Sequence, residues 1–146
     1  DIIWAHHPHV VQPWEKYITK NEREAVIMYS MGNFASGQRY RMNYKKPESP
    51  REYTGDSYIL NVDVLRHWGS DNFTYKLTPI PITTKVDYST RDVKVCEFTQ
   101  AFIKEQTPKL QKYYTSRFNL MKEQLGILLP WEKLDSSDDA LILEAN

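Results

Sequence analysis

The feature that most limits what this chain can fold into is a pair of alternating stretches in its middle. Over residues 58–64, Tyr58, Leu60, Val62 and Val64 alternate with Ile59, Asn61 and Asp63, which is the two-residue period of a strand with one more polar face. Over residues 73–87 the alternation returns, with Phe73, Tyr75 and Leu77 set against Thr74, Lys76 and Thr78. The turn signal at 69–72 between them predicts an antiparallel hairpin. Pro79 and Pro81 have no N–H to give to a ladder, so they predict an edge position or a bulge in the second strand.

Shorter signals flank the hairpin. Residues 2–5 read as a short buried strand running into His6, His7, Pro8 and His9, with Val10 and Val11 continuing it briefly. A helix or extended loop is expected over 14–24, and a second short strand over 26–29, punctuated by Gly32 and Asn33. Residues 36–55, rich in Arg, Lys, Asn and Pro, read as a long exposed loop. From Ser89 the period becomes helical. Ser89 and Asp92 resemble a capping box, and Val95, Phe98 and Phe102 follow at helical spacing. Thr107 and Pro108 then open a second helix with Leu110, Tyr114, Met121, Leu125 and Leu128 on its apolar face, stopped by Gly126 or Pro130. A short third helix is expected over 137–144. The pattern is α+β, with a strand-rich part at 1–88 and a helical part at 89–146.

A chain of 146 residues, 40% hydrophobic, can bury one core. Its 19 basic and 19 acidic residues cancel, which removes any global pull toward nucleic acid or an anionic membrane. Cys96 is the single cysteine, so no disulfide can form within the chain, and its place in a helical pattern reads as a small buried hydrophobe. No apolar run reaches the roughly 18 residues of a membrane span, so the piece is expected to be soluble. The sequence enters an apolar run directly after Asp1, which predicts that it belongs to something longer.

The chemistry-bearing residues gather near the start. In an extended segment, residues i and i+2 point the same way, so His7 and His9 on either side of Pro8 can offer two imidazoles to one point or to two adjacent ones. Neutral imidazole suits zinc, iron, nickel or manganese, while three clustered histidines are also compatible with an ordinary polar loop. Two ligands do not complete a site. Asp56, Asp63, His67, Asp71 and Asp87 are further metal candidates without a second tight cluster. A second group, Ser30, Gly32, Asn33 and Gln38, can line a cleft or form a plain strand-to-loop turn. Arg39, Arg41, Lys45, Lys46 and Arg51, interleaved with Tyr40, Tyr44 and Tyr53, can grip an acidic polymer or be a solvated loop. Their number is too small, and too diluted by Glu48 and Glu52, for a nucleic-acid footprint. No nucleophile elbow or phosphate-cradling glycine loop is present.

Taken together, Asp1-Ile-Ile-Trp-Ala-His-His-Pro-His-Val-Val-Gln-Pro-Trp-Glu15 and Val26-Ile-Met-Tyr-Ser-Met-Gly-Asn-Phe-Ala-Ser-Gly-Gln-Arg39 resemble two adjacent motifs of the CapA (PgsA-like) bacterial capsule-synthesis family. Those motifs are His-Pro-His-Val-x-Gln-Pro-x-Glu and Tyr-Ser-x-Gly-Asn-Phe, and both match in order and spacing over about the first 40 residues. Ala5 and His6 stand where a small-residue pair is usual before the motif, and His6 is a departure from it. The resemblance extends to the calcineurin-like metallophosphoesterases. It implies that residues 1–88 are the C-terminal part of a metallophosphoesterase-like β-sandwich and 89–146 a helical extension. It further implies that His7 and His9 are the last His-x-His ligands of a centre holding two divalent metal ions in the complete parent, with Ser30, Asn33, Gln38 and Arg39 as candidates for the cleft beside it. The upstream ligand motifs are absent from this chain, so the piece alone is expected to be inactive. The parent is expected to be membrane-anchored at the cell surface, acting with other capsule-synthesis proteins on poly-γ-glutamate or a related acidic polymer. A non-catalytic polymer-binding or assembly module is the alternative, and the piece is also a candidate for homodimerisation through open strand edges.

Overall fold

The computed structural model describes residues 1–69, 73–125 and 141–144. Among the described residues, two small sheets and three helices, the first of them the short α1 (Pro50–Tyr53), form a mixed α+β architecture without a closed barrel, and one hydrophobic core joins both sheets to the two later helices. The first sheet has the order β1-β3-β2, built from β1 (Ile2–Trp4), β2 (Trp14–Ile18) and β3 (Glu24–Met28). β1 runs parallel to β3, and β2 runs antiparallel to it. The expected helix or loop over 14–24 is therefore a strand and a tight turn. Thr19 closes that turn by accepting Arg23 N–H at 3.0 Å on its hydroxyl, with Glu22 in the left-handed region at φ 57.

β1 also differs from the buried strand its composition suggests. It lies at the edge of its sheet, and Ile2, Ile3 and Trp4 are 41%, 50% and 63% exposed. Both faces are apolar, as in a strand covered on two sides, yet only β3 pairs with it among the described residues.

The second sheet is the predicted hairpin and its neighbours. β4 (Asp56–Arg66) pairs antiparallel over its full length with β5 (Phe73–Val86), from Asp56 opposite Thr83 to Arg66 opposite Phe73. Of the connecting turn, Gly69 adopts φ +77 and residues 70–72, including Asp71, lie outside the described residues. β6 (Val93–Glu97) and β7 (Leu141–Glu144) pair with β5 on its other flank, opposite 82–86 and 74–77 respectively.

Pro79 and Pro81 fall in the interval between them. Thr84 N–H donates to Gly55 O on the β4 side, while Pro81 O accepts from Phe98 N–H on the other. The odd residues of β5 thus turn their backbone polar groups away from β4, and the two missing N–H groups face a stretch where neither β6 nor β7 forms a ladder. The expected edge position exists locally, inside a strand that is central elsewhere.

The helical reading from Ser89 is corrected. Residues 93–97 are the strand β6, where β-branched Val93 and Val95 suit a pleated surface and pair with Val86 and Thr84. Cys96 accordingly sits on a strand, half-buried. The turn before it is closed by Asp87, which accepts from Ser89 N–H, Ser89 Oγ and Thr90 N–H. These bonds, the Ser89 hydroxyl first, hold the Asp87 carboxyl below its ordinary pKa. A depressed folded-state pKa stabilises the turn above the unfolded value and ceases to do so as pH falls through the folded one. The Ser89 and Thr90 amide shifts are expected to titrate together with a midpoint below the usual aspartate range, and Asp87→Ala to abolish that transition in an NMR pH series.

Helix begins instead at Thr99, whose hydroxyl caps α2 (Gln100–Lys104) by accepting Phe102 N–H at 3.1 Å. α3 (Pro108–Leu125) opens on Pro108 as expected. Residues 126–140, where its stop signals and the start of the expected third helix fall, lie outside the described residues. Residues 141–144 of that expected helix are the strand β7. The core joins Val26 and Met28 of the first sheet, Tyr58, Tyr75 and Leu77 of the second, and Tyr113, Tyr114, Phe118 and Met121 of α3. Phe98 stacks edge-on against Phe102, Tyr114 and Phe118 at centroid distances of 5.2–6.1 Å, a favoured aromatic geometry.

Candidate functional site

The chain leaves β1 through Ala5, whose N–H still bonds Met28 O at 2.9 Å, and then turns at 7–10. His9 stands at φ 60. The segment is a turn rather than a continued strand, so the alternation argument for His7 and His9 facing the same way does not apply. Trp4 Nε1 donates to His6 Nε2 and the two rings lie 5.2 Å apart, which engages the spare imidazole with its neighbour.

β3 delivers the second group. Ser30 is fully buried and its hydroxyl accepts Gly32 N–H at 3.2 Å. Gly32 adopts φ +80, and an added Cβ would lie 2.7 Å from Asp56 O, so glycine is required there for both conformation and close approach. Gly32 bridges Ser57 at the start of β4, and Ser57 Oγ donates to Met31 O. This arrangement aims Asn33 at the histidine turn. His9 Nδ1 lies 2.8 Å from Asn33 Oδ1, while Asn33 Nδ2 donates to Gln38 Oε1 at 2.8 Å and to Thr54 O at 3.1 Å.

Thr54 O can only accept, which fixes the Asn33 amide with its nitrogen on that side and its oxygen toward His9. His9 Nδ1 must then be the donor. A neutral His9 carries its proton on Nδ1 and leaves Nε2 as a free lone pair on an exposed ring. The structure thus brings together His9, Asn33 and Gln38, three of the residues singled out from sequence, and adds one that sequence could not name, the Thr54 main-chain carbonyl. His7 is exposed in the same turn.

Arg39 is elsewhere. It does not line a cleft and is not part of a solvated basic loop, being 1% exposed. Its Nη1 donates to Asp56 Oδ1 at 2.7 Å and to Glu52 O at 3.3 Å, and its Nη2 to Gly55 O, Thr83 Oγ1 and Thr84 O at 2.7–3.2 Å. Asp56, a candidate ligand by residue type, is 2% exposed and takes Arg117 on its other oxygen, with Nε at 2.7 Å. It is committed to two guanidinium groups. Asp63 is exposed on β4 opposite Lys76, while Asp87 is half-buried and lies just beyond the far end of β5. Among the described residues no three His, Cys, Asp or Glu side chains gather as a metal site.

Beside the turn opens an apolar cavity of about 490 Å³, walled by Ile2, Trp4, Met28, Met31, Phe34 and Leu60 among others. Tyr58 also borders it, and burial pushes its hydroxyl up to about 12. On the outer face, Tyr29 donates to Glu15 Oε1 at 2.7 Å, tying β3 to β2; that bond raises the Tyr29 pKa. Among the described residues no helix is long and apolar enough to cross a membrane.

Residues 1–38 match the family model of the bacterial capsule synthesis protein PGA_cap. No curated protein and no solved structure matches the chain. The matched segment holds β1, the histidine turn, the β2–β3 hairpin and His7, His9, Ser30, Asn33 and Gln38, with Arg39 just beyond it. It supports the resemblance read from the two motifs, that of a fragment of a CapA-like capsule biosynthesis protein.

Proposed function

We propose that the segment matched to the capsule synthesis family serves, in the complete protein, as one corner of a two-metal phosphoesterase-like centre. His7 and His9 are offered to divalent cations, and Asn33 and Gln38 stand behind His9. One observation carries this reading, the 2.8 Å contact between His9 Nδ1 and Asn33 Oδ1. Metal-binding histidines characteristically give their second ring N–H to a neighbouring acceptor, which fixes tautomer and ring orientation and raises ligand basicity. The donor type suits borderline transition metals more than magnesium or calcium.

Two imidazoles fall short of the three protein ligands of a catalytic zinc, so this chain alone is expected to be inert toward phosphoesters. The remaining ligands would come from outside it. The parent's substrate would be an intermediate of poly-γ-glutamate or a related surface polymer, handled outside the cell membrane with other capsule-synthesis proteins. The non-catalytic alternative, contact with an acidic polymer through the 39–51 loop, now rests on exposed Arg41, Lys45, Lys46 and Arg51, because Arg39 is buried.

Metal content and affinity of the full-length protein test the proposal. Changing both His7 and His9 to alanine is expected to abolish binding. Asn33→Ala is expected to weaken it about 10–100-fold, the usual effect of removing an outer-shell partner, with the far-UV circular dichroism unchanged. Undetectable transition metal in the purified protein, or undiminished binding by the double-histidine variant, ends the reading.

A further inference from the structure

Asn33 is held at two points, and both lead to the same short segment. Its side chain rests on Thr54 O, and its neighbour Gly32 bridges Ser57. The carbonyls of Gly55, next to Thr54, and of Glu52, two residues before it, are bound by the buried Arg39 guanidinium. Asp56, next in the chain, is gripped by Arg39 on one oxygen and by Arg117 of α3 on the other. Arg117 also donates to Pro47 O at 2.9 Å, and its guanidinium lies 4.2 Å from the Tyr53 ring centroid. Pro47, Glu52, Gly55 and Asp56 are thus held from within the core by two cations.

We infer that Arg39 and Arg117 are positioning residues for His9: by fixing residues 52–56 they hold the Thr54 carbonyl where it orients Asn33, and Asn33 in turn selects the His9 tautomer whose Nε2 is free. The inference builds on the proposed ligand role of His9 but concerns the imidazole's proton, which can be read without a metal. α3 thereby acts on the histidine turn through a main-chain segment whose hydrogen-bond directions it helps to set.

The test is a long-range proton–nitrogen NMR spectrum of the full chain at a single pH of about 8, where an ordinary imidazole is neutral. His9 is expected to show a protonated Nδ1 and a bare Nε2; the opposite pattern overturns the inference. The triple substitution Arg39→Met, Asp56→Leu, Arg117→Met removes the clamp, and exchanging a buried ion triad for apolar groups of similar size often preserves stability. Its His9 nitrogens are expected to move to the averaged shifts of a tautomer mixture. A folded triple variant that keeps the original pattern overturns the inference.

Gln38→Ala, at an exposed position, provides an arm that does not disturb the core. It is expected to leave the tautomer in place, because Thr54 O remains; a scrambled His9 in that variant would show that Gln38 orients Asn33 and the clamp does not. Transition-metal addition separates this inference from the proposed function. The expected tautomer without metal binding sinks the ligand role and leaves the clamp standing, whereas metal binding by a chain whose His9 is protonated on Nε2 does the reverse.

Discussion

Asp56→Ala is expected to lower the stability of the chain by about 3–5 kcal/mol, the usual consequence of removing one partner from a buried ion pair. The carboxylate is 2% exposed and accepts from Arg39 Nη1, Arg117 Nε and Thr83 Oγ1 at 2.7–2.8 Å. Its loss leaves two guanidinium groups, each 1% exposed, without a counter-charge in a low-dielectric interior. Against a typical total of about 5–15 kcal/mol for a domain, that deficit is a large share. Urea unfolding measures it as a fall in midpoint at unchanged slope. A loss under about 1 kcal/mol, the range of exposed pairs, would mean that the two arginines reach water in solution.

Gly55→Ala is expected to be almost as damaging, for a different reason. A Cβ at this position would lie 2.0 Å from Arg39 Nε and 2.1 Å from its Cζ. Either the main chain or the guanidinium must move. Overpacking of this kind costs about 1–3 kcal/mol, and each hydrogen bond to a charged group that is lost adds about 1.5–3 kcal/mol, so a total on the order of 3 kcal/mol follows. Because both substitutions act on the same guanidinium, the double variant Gly55→Ala/Asp56→Ala is expected to lose less than the sum of the two, by about 0.5–3 kcal/mol. Strict additivity in the same unfolding assay would show that Gly55 and Asp56 act on separate parts of the structure.

The middle of the chain was legible in sequence because a two-residue period leaves little choice. The alternations over 58–64 and 73–87 became β4 and β5, and the two prolines of β5 fell between its stretches that pair with β6 and with β7. Thr107 and Pro108 likewise marked the start of α3. The reading failed where spacing was ambiguous. Val95, Phe98 and Phe102 fit a helical face, but cross-strand pairing with 82–86 prevailed for the first of them, and the cap passed from Ser89 to Thr99.

Within the site, His9, Asn33 and Gln38 were recoverable from their residue types and order, whereas the partner that fixes Asn33 is a main-chain oxygen and leaves no mark in composition. Arg39 was misread because five nearby cations looked alike. The distinguishing signal was Arg117, a charge placed among Tyr113, Tyr114, Phe118 and Met121 on the apolar face of a helix, where a buried guanidinium needs a buried carboxylate.

The two prolines of β5 have a consequence beyond their own strand. An uncovered stretch of sheet edge is normally a template on which another chain can add itself and begin to aggregate. In the interval between β6 and β7 the donors such a visitor would need are missing at both Pro79 and Pro81, and the Pro81 carbonyl is already taken by Phe98 N–H. Among the described residues this interval therefore offers stray β-structure little to pair with.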